Sequence, residues 1–506
     1  MRGSSGLIAV AVLAVALWAA APAFGAPVPA QPIPEEPGAD APKFLGSRAD
    51  PDPVSAPSIP RHPFMAPNGD SSIHDDAYQS DTYRRAGPLG RRFDRTSTFR
   101  AADCASVTFD RRGRVETICV GLQGPELVLL DPRTLDELAR FALPPRQPGA
   151  GNPFTDFSGG SYFYLDHRER AVIGTTTRHI FRVDQSSGPS FELGRDYDLT
   201  SAVAQGDSIV SALPDWSGLI WFVSTEGVVG TVDPQSGDVR SLELEGEGIT
   251  NSVAVDEDGG VYVVSDRALY RFEAKADGEP KEIWRKSYAN TGEQKPGQVD
   301  DGSGTTPTVM GDDLVAITDN ADPMQVTVYR RARGRRVCRE SVFERGRSAT
   351  DNSLIATDDS IVVENNYGYE GPSSTFKGGV TERGLERVDL DRDGEGCHTT
   401  WKSDERAPTV VPKLSLRNGL VYTYTKNRDE DDPWYLTAID FRTGETAYKR
   451  LAGLGLGFNN NYAPVSLGPD GTAYVGVLGG LVALRDRERS SDGTDGEGFN
   501  RGNPPR

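Results

Sequence analysis

Short apolar runs alternating with polar positions dominate the chain, and Gly, Asp and Pro separate them. No stretch keeps the 3.6-residue period of an amphipathic helix, so the pattern predicts strands. Residues 249–288 show it most clearly, with the runs "ITNSVAV", "VYVVSD", "RALYRFEA" and "PKEIWRKSY" and the turns "DEDGG" and "KADGE". This segment predicts four consecutive antiparallel strands.

The same four-run unit recurs along most of the chain. Seven full units and a partial eighth, repeating about every 40 to 50 residues, are typical of a β-propeller. We therefore predict an all-β fold, a single propeller of eight four-stranded blades. Seven blades is the alternative, because the unit at 200–243 is irregular. The other units lie near residues 103–143, 158–193, 304–343, 352–403 and 408–450, and the partial one begins at Asn461.

The partial last unit has no fourth run after Arg485. The run "RRFDRTSTFR", from Arg91 to Arg100, precedes the first unit with nothing else to pair with. We expect it to supply the missing outer strand and close the ring, which removes exposed sheet edges.

The two ends of the chain do not resemble the repeats. Arg2, the apolar run Leu7 to Ala23 and a small-residue site predict a signal peptide over residues 1–25. An uncleaved membrane anchor is the alternative, and either places the protein outside the cytosol, secreted or in the cell envelope. Residues 26–84 are dense in Pro and predict a disordered linker, and residues 487–506 predict a disordered polar tail. The propeller is expected over residues 85–486.

Composition narrows the range of partners. The chain has 55 Lys and Arg against 74 Asp and Glu, a net charge of −19, so nucleic acid is not expected to bind. A membrane is expected as a partner only through an uncleaved anchor, and we expect a monomer. The five His residues form no zinc-like cluster, with His62 and His74 placed in the linker.

Four Cys in a secreted chain predict disulfides. Cys104 and Cys119 flank "ASVTFDRRGRVETI", whose turn centres on Arg111 and Arg112, so they face each other across one hairpin. By elimination, Cys338 pairs with Cys397.

The units resemble those of quinoprotein-like propellers, the superfamily built on pyrroloquinoline-quinone-type repeats. The turn "AIDFRTGETAYKR" and the positions of Trp284 and Trp401 on fourth runs carry the resemblance. Quinone-dependent dehydrogenases of that superfamily have adjacent Cys residues and a fuller Trp repeat, which this chain lacks. The resemblance therefore implies the fold but not pyrroloquinoline quinone.

One blade, "GITNSVAVDEDGGVYVVSD", also looks like those of the gluconolactonase and arylesterase-like propellers. Those families hold calcium on the channel with Asn, Asp and Glu side chains, which implies Ca²⁺ as a candidate cofactor.

Propeller geometry sends the loops to two faces, which we call lower and upper. The turns between the first and second and between the third and fourth strands emerge on the lower face. They contain Gly residues that supply the positive φ of tight turns. We expect structural roles for these glycines, which are Gly113, Gly237, Gly259, Gly278, Gly419, Gly444 and Gly471.

The upper-face loops join the second strand to the third and link one blade to the next, and they are rich in Asn and Asp. In "ATDNSLIATDDSIVVENNYGYEG", two polar clusters one hairpin apart return to this face. The predicted ligand-binding residues are Asp319, Asn320, Glu364, Asn365, Asn366, Tyr367 and Asn460. A hard cation such as Ca²⁺ takes oxygen ligands, and the predicted metal ligands are Asn251, Asp351, Asn352 and Asn461. The alternative is that Asn and Asp only cap strand ends.

No catalytic residue can be assigned from the sequence. His179 lies in an upper-face loop and is the one candidate general base. The chain has neither a Gly-x-Ser-x-Gly nor a His-Glu-x-x-His motif, which argues against serine hydrolases and zinc proteases. We expect a secreted, non-catalytic propeller that binds a small molecule, glycan or protein. The alternatives are a calcium-dependent hydrolase or lactonase and a quinone-dependent oxidoreductase.

Overall fold

A computed structural model describes residues 26–121, 124–146, 154–186 and 188–487. The predicted signal peptide and all but the first residue of the predicted tail lie outside these ranges. Within them, no helix has the length and apolar character needed to cross a membrane. The helices there are two short 3₁₀ turns, Pro372–Thr375 and Leu456–Phe458.

Three strands precede the repeats, and each joins a blade formed later in the chain. They are β1 (Phe44–Gly46), β2 (Thr82–Tyr83) and β3 (Phe93–Phe99).

Each of the first four blades is a four-stranded antiparallel sheet in chain order. Blade 1 contains β4 (Ala102–Phe109), β5 (Val115–Gly121), β6 (Gly124–Leu130) and β7 (Glu137–Ala142). Blade 2 contains β8 (Tyr164–Leu165), β9 (Ala171–Gly174), β10 (His179–Gln185) and β11 (Phe191–Asp198). Blade 3 contains β12 (Ile209–Pro214), β13 (Ile220–Ser224), β14 (Val228–Val232) and β15 (Val239–Glu243). Blade 4 contains β16 (Ala254–Val255), β17 (Val261–Val264), β18 (Ala268–Ala274) and β19 (Pro280–Ser287).

The second half of the ring repeats this arrangement. Blade 5 contains β20 (Thr308–Met310), β21 (Leu314–Thr318), β22 (Gln325–Arg330) and β23 (Arg336–Ser341). Blade 6 contains β24 (Ile355–Ala356), β25 (Ser360–Glu364), β26 (Leu385–Leu390) and β27 (Cys397–Ser403). Blade 7 contains β28 (Lys413–Ser415), β29 (Leu420–Lys426), β30 (Pro433–Asp440) and β31 (Thr446–Leu454), with β1 added outside and β2 inside. Blade 8 contains β32 (Val465–Leu467), β33 (Ala473–Val477) and β34 (Gly480–Asp486).

The eight-bladed propeller is confirmed, and β3 completes the last blade. It pairs antiparallel with β34, with Phe93 opposite Asp486 and Phe99 opposite Gly480. The chain thus closes its ring with a strand that precedes blade 1. The strand that leads into blade 1 and the last strand of the ring are thereby paired along their whole length.

The turns of the lower face have the backbone conformation that their sequence requires. All seven glycines predicted at these turns have φ between 68° and 85°, a region that other residues rarely adopt. At Gly259 the preceding Asp256 side chain also closes the turn, because its Oδ1 accepts the amide of Gly260 at 2.7 Å.

Both predicted disulfides are present. Cys104 and Cys119 face each other across the β4–β5 hairpin, and Ala105 forms a bulge beside them. Cys338 and Cys397 join β23 to β27, the outer strands of blades 5 and 6. The second bond links two neighbouring blades, which the ion pair of Arg335 with Glu395 also joins.

Residues 69–83, which we call the channel segment, run along the innermost strands near the lower face. Their carbonyl groups accept hydrogen bonds from inner-strand amides of six blades. Those amides belong to Phe109, Leu165, Val255, Val309, Ala356, Leu414 and Leu416. The channel segment therefore closes the lower end of the central channel.

This arrangement differs from the disordered linker expected for residues 26–84. The Pro-rich part, residues 26–66, packs on the outside of the propeller. Its Ile33 side chain is buried there, with 3 % exposed, and its strand β1 pairs with β31. The channel segment itself is polar but buried. The inner strands of the blades supply amide donors to the carbonyl groups of the channel segment, and the composition of the segment does not reveal these partners.

A buried ion pair fixes the channel segment to blade 7. The Lys413 ammonium donates to the Asp81 carboxylate and lies 3.8 Å from Asp75, and all three side chains are fully buried. Burial raises the pKa of Asp75 well above its ordinary value, although the neighbouring Lys413 opposes this shift.

We predict that Lys413→Met lowers the free energy of unfolding by about 3–5 kcal/mol, because it leaves the Asp81 carboxylate buried without its cation. Urea denaturation followed by fluorescence measures the change. The matched control is Lys275→Met, which breaks a solvent-exposed pair with Glu279 at 2.8 Å and is expected to cost at most about 1 kcal/mol. Equal effects of the two substitutions would contradict the assigned role of Lys413.

Candidate functional site

The main candidate site is a cavity of about 560 Å³ on the upper face, which we call the upper cavity. Its walls come from blade 1 and from the links that lead into blades 2, 6, 7 and 8, and the channel segment forms its floor. The lining residues used below are Ile73, His74, Asp103, Ala105, Arg146, Phe154, Asp156, Phe157, Tyr162, Asp351, Ser353, Asn461 and Tyr462.

Aromatic side chains form one wall of the upper cavity. The Phe157 ring packs edge-on against Tyr162 and Tyr462, with centroid distances of 6.5 and 5.4 Å. Tyr462 packs in turn against Tyr369 at 5.5 Å, and the Tyr369 hydroxyl donates to Asn461 Oδ1 at 2.8 Å. Such edge-to-face contacts and this hydrogen bond hold the rings in fixed positions.

Burial affects two carboxyl groups of the upper cavity, those of Asp103 and Asp351. Burial raises the pKa of Asp103 to about 7 and the pKa of Asp351 well above its ordinary value. Arg146 pairs with Asp156, with Nε and Oδ2 3.3 Å apart. In mildly acidic solution the cavity therefore has protonated carboxyls and one internally neutralised ion pair.

On the cavity floor, His74 belongs to a chain of polar contacts. Its Nδ1 lies 2.9 Å from Asp81 Oδ1. Its Nε2 lies 3.3 Å from Ser353 Oγ and 3.5 Å from Thr306 Oγ1. Burial lowers the pKa of His74 and outweighs the opposite effect of the Asp81 carboxylate.

The predicted ligand-binding residues of blade 6 are buried and bonded within the protein. Glu364 accepts hydrogen bonds from Asn352 at 2.8 Å, Asn366 at 3.3 Å and Thr423 at 3.0 Å. Asn365 donates to the carbonyl of Arg347 at 2.9 Å. These side chains connect loops of the upper face to each other.

The other predicted ligand residues make similar contacts. Asp319 accepts the amide of Gln325 at 2.8 Å, and Asn320 donates to the carbonyl of Asp301 at 2.8 Å. Asn460 donates to the carbonyl of Gly476 at 2.9 Å. The amide of Tyr367 is bonded to Asn365 Oδ1 at 3.1 Å. None of the seven predicted ligand-binding residues is among the described residues that line the upper cavity.

The four predicted metal ligands do not all meet. Asp351 and Asn461 line the upper cavity, whereas the Asn352 amide donates to Glu364 and to the carbonyl of Val410 at 2.8 Å. The Asn251 amide donates to Thr250 Oγ1 at 3.3 Å. Over the described ranges, no group of three or more His, Cys, Asp and Glu residues is arranged to hold a metal. Calcium binding stays a prediction.

His179 lies away from the upper cavity, on β10, where its Nδ1 is 2.6 Å from Asp196 Oδ1. His74 is the histidine that the sequence reasoning missed, because it was assigned to a linker. A local change in composition marks it: the stretch "DSSIHDDAYQSDTY" has no Pro, unlike the residues before it.

Sequence comparisons with known proteins show no family for this chain. The chain matches no protein-family model. An uncharacterized protein of Archaeoglobus fulgidus is 31% identical over 320 residues, which are 56% of this chain and 62% of that protein. This chain therefore matches less than two thirds of that relative's length.

Solved structures of other propellers superpose on this chain. The quinohemoprotein alcohol dehydrogenase of Comamonas testosteroni does so with a TM-score of 0.56 and 11% identity, over 86% of this chain and 82% of that one. BamB of Moraxella catarrhalis has a TM-score of 0.45 and 13% identity, over 81% and 95%. The first similarity supports the β-propeller fold and concerns the fold alone.

The upper cavity fits poorly with pyrroloquinoline quinone, which carries three carboxylate groups. Among the described lining residues, Arg146 is the one basic side chain besides His74, and Asp156 already neutralises it. Asp103 and Asp351 would add further carboxyl groups next to those of the cofactor. We therefore derive no chemistry through a quinone.

We predict that Asp103→Asn stabilises the protein increasingly as the pH rises. The raised pKa of Asp103 means that the folded state binds this proton more tightly than the unfolded state, so stability falls as the pH rises from about 4 to 7. The stability difference between variant and wild type should grow by about 1–3 kcal/mol between pH 4 and 8. Urea denaturation across this range measures it.

The control is Asp131→Asn. Although burial raises the pKa of Asp131, the amides of Thr134 and Arg133 lower it more, so the net shift is downward. That carboxylate stabilises the fold at pH values above its ordinary pKa. The free energy of unfolding of the variant should therefore be lower than that of the wild type by the same amount at every pH between 5 and 8. A pH-independent effect of Asp103→Asn would show that Asp103 is ionised in the fold.

Proposed function

We propose that this protein is an extracytoplasmic propeller that binds a small, uncharged organic molecule with an aromatic or other ring. The upper cavity carries this proposal, because it is recessed, closed below by the channel segment and walled by fixed aromatic rings. Two disulfides support a location outside the cytosol, where such bonds persist.

The size of the cavity favours a small molecule over a glycan chain or a protein. Pockets for small ligands measure about 300–1,000 Å³, and the upper cavity lies within that range at about 560 Å³. Its aromatic wall offers flat apolar surface to a ring, and Asn461 and the two carboxyls offer a few hydrogen-bonding groups. This is the usual composition of a small-molecule pocket.

The charges of the cavity favour an uncharged ligand. An anionic ligand would lack a cationic partner among these groups, because the guanidinium of Arg146 is engaged by Asp156. A cationic ligand would meet carboxyls that burial keeps protonated in mild acid. A neutral ligand requires neither a cationic nor an anionic partner in the cavity.

The test is a thermal-shift screen with uncharged aromatic fragments, including 4-nitroanisole, followed by titration calorimetry. Ala105→Phe should weaken the fragments that bind at least tenfold, because Ala105 lines the cavity on the bulge of β4 and a phenyl ring fills the space. The matched control is Ala56→Phe, which fills a separate cavity of about 290 Å³ on the lower face and should leave binding unchanged.

Fragments that bind Ala105→Phe as tightly as the wild type would contradict the proposal. So would a screen in which only charged fragments bind.

A further inference from the structure

The floor of the upper cavity brings a serine hydroxyl to a histidine that an aspartate orients. We propose that Ser353, His74 and Asp81 form a hydrolytic triad that cleaves carboxylic esters, lactones included, held in the upper cavity. This inference rests on the proposed function, since the ester is the uncharged molecule that the cavity holds.

The three residues come from distant parts of the chain. His74 and Asp81 belong to the channel segment, and Ser353 stands 279 positions after His74 in the link that leads into β24. A triad is defined by geometry and not by order in the sequence. The absence of a Gly-x-Ser-x-Gly motif therefore does not exclude this one.

The geometry has the contacts that the chemistry requires. Nε2 of His74 faces Ser353 Oγ at 3.3 Å, and Nδ1 faces Asp81 Oδ1 at 2.9 Å. These distances are typical of a nucleophile, a base and an orienting carboxylate before substrate binds. Ser353 and His74 both line the cavity, so the hydroxyl is within reach of a bound ligand.

The protonation states agree with these roles. Because Asp81 accepts a hydrogen bond, the proton of the neutral imidazole is assigned to Nδ1, which leaves Nε2 free to accept one. Burial lowers the pKa of His74, so the ring is in its basic form at neutral pH. Lys413 Nζ donates to the same oxygen of Asp81, Oδ1, and holds that carboxylate in place.

Thr306 is the competing hydroxyl. Its Oγ1 lies 3.5 Å from Nε2, farther than Ser353 Oγ, and Thr306 is not among the residues that line the upper cavity. Ser353 is thus the hydroxyl placed between the histidine and the ligand space.

The reaction consumes one water molecule per ester. Ser353 Oγ attacks the carbonyl carbon while its proton passes to His74 Nε2. The bond to the alcohol oxygen breaks, and the alcohol leaves with that proton. A water molecule then gives a proton to His74 and attacks the acyl group on Ser353, which releases the carboxylic acid and restores both side chains.

The test uses the full chain with 4-nitrophenyl acetate, an uncharged aromatic ester, and with a fluorophosphonate that labels reactive serines. We expect release of 4-nitrophenol and a label that peptide mass spectrometry locates on Ser353. Ser353→Ala should abolish the label and reduce kcat/KM at least 100-fold with an unchanged melting temperature. His74→Gln should likewise abolish the label and reduce kcat/KM at least 100-fold.

The matched control is Ser252→Ala. Ser252 stands two residues before β16, as Ser353 stands two residues before β24, but its hydroxyl is bonded to Ser211 at 2.8 Å. It does not line the cavity, and its replacement should change neither labelling nor turnover.

Calorimetry with 4-nitroanisole, which has no ester to cleave, separates this inference from the proposed function. If 4-nitroanisole binds the wild type and Ser353→Ala alike but the wild type is neither labelled nor active, the triad is refuted and the binding function stands. A label on Thr306, or activity that survives Ser353→Ala, also refutes the triad. Failure of 4-nitroanisole to bind, with labelling still on Ser353, would support the triad and count against the aromatic ligand.

Discussion

The centre of this propeller depends on the backbone hydrogen bonds between the channel segment and the inner strands. The innermost strand of each blade has one edge that faces the channel, and the amides along that edge need partners. Carbonyl groups of residues 69–83 accept from such amides in six blades. An open channel is thereby converted into a cavity with a floor.

The same hydrogen bonds position the ionisable side chains of the channel segment in the centre of the ring. His74 and Asp81 reach the centre of the molecule on the channel segment, and Lys413 holds Asp81 there with both side chains fully buried. A buried ion pair is weak evidence of stability but fixes position when its geometry is good. The candidate site is thus built jointly by the ring and by a segment that precedes it.

The ring was predictable from the sequence, whereas the site was only partly so. Period-2 patterns and turn glycines such as Gly259 act locally, so they revealed the blades, the closing strand β3 and the pairing of Cys104 with Cys119. The channel segment gave no such signal, because many of its polar groups are satisfied by partners on the blades, such as Lys413 for Asp81. Three of the predicted ligand residues, Glu364, Asn366 and Asn320, bond to neighbouring parts of the protein. Ligand binding by these residues stays a prediction.

Hydrogen exchange tests the role of the channel segment most directly. If its carbonyls bond the inner strands, the amides of Val255, Val309, Ala356 and Leu414 should exchange at least about a thousandfold more slowly than amides of exposed loops. Peptides that cover residues 69–83 should be protected as well. Exchange of the inner-edge amides and of these peptides at the rate of exposed loops would show that the channel is open and that the cavity has no floor.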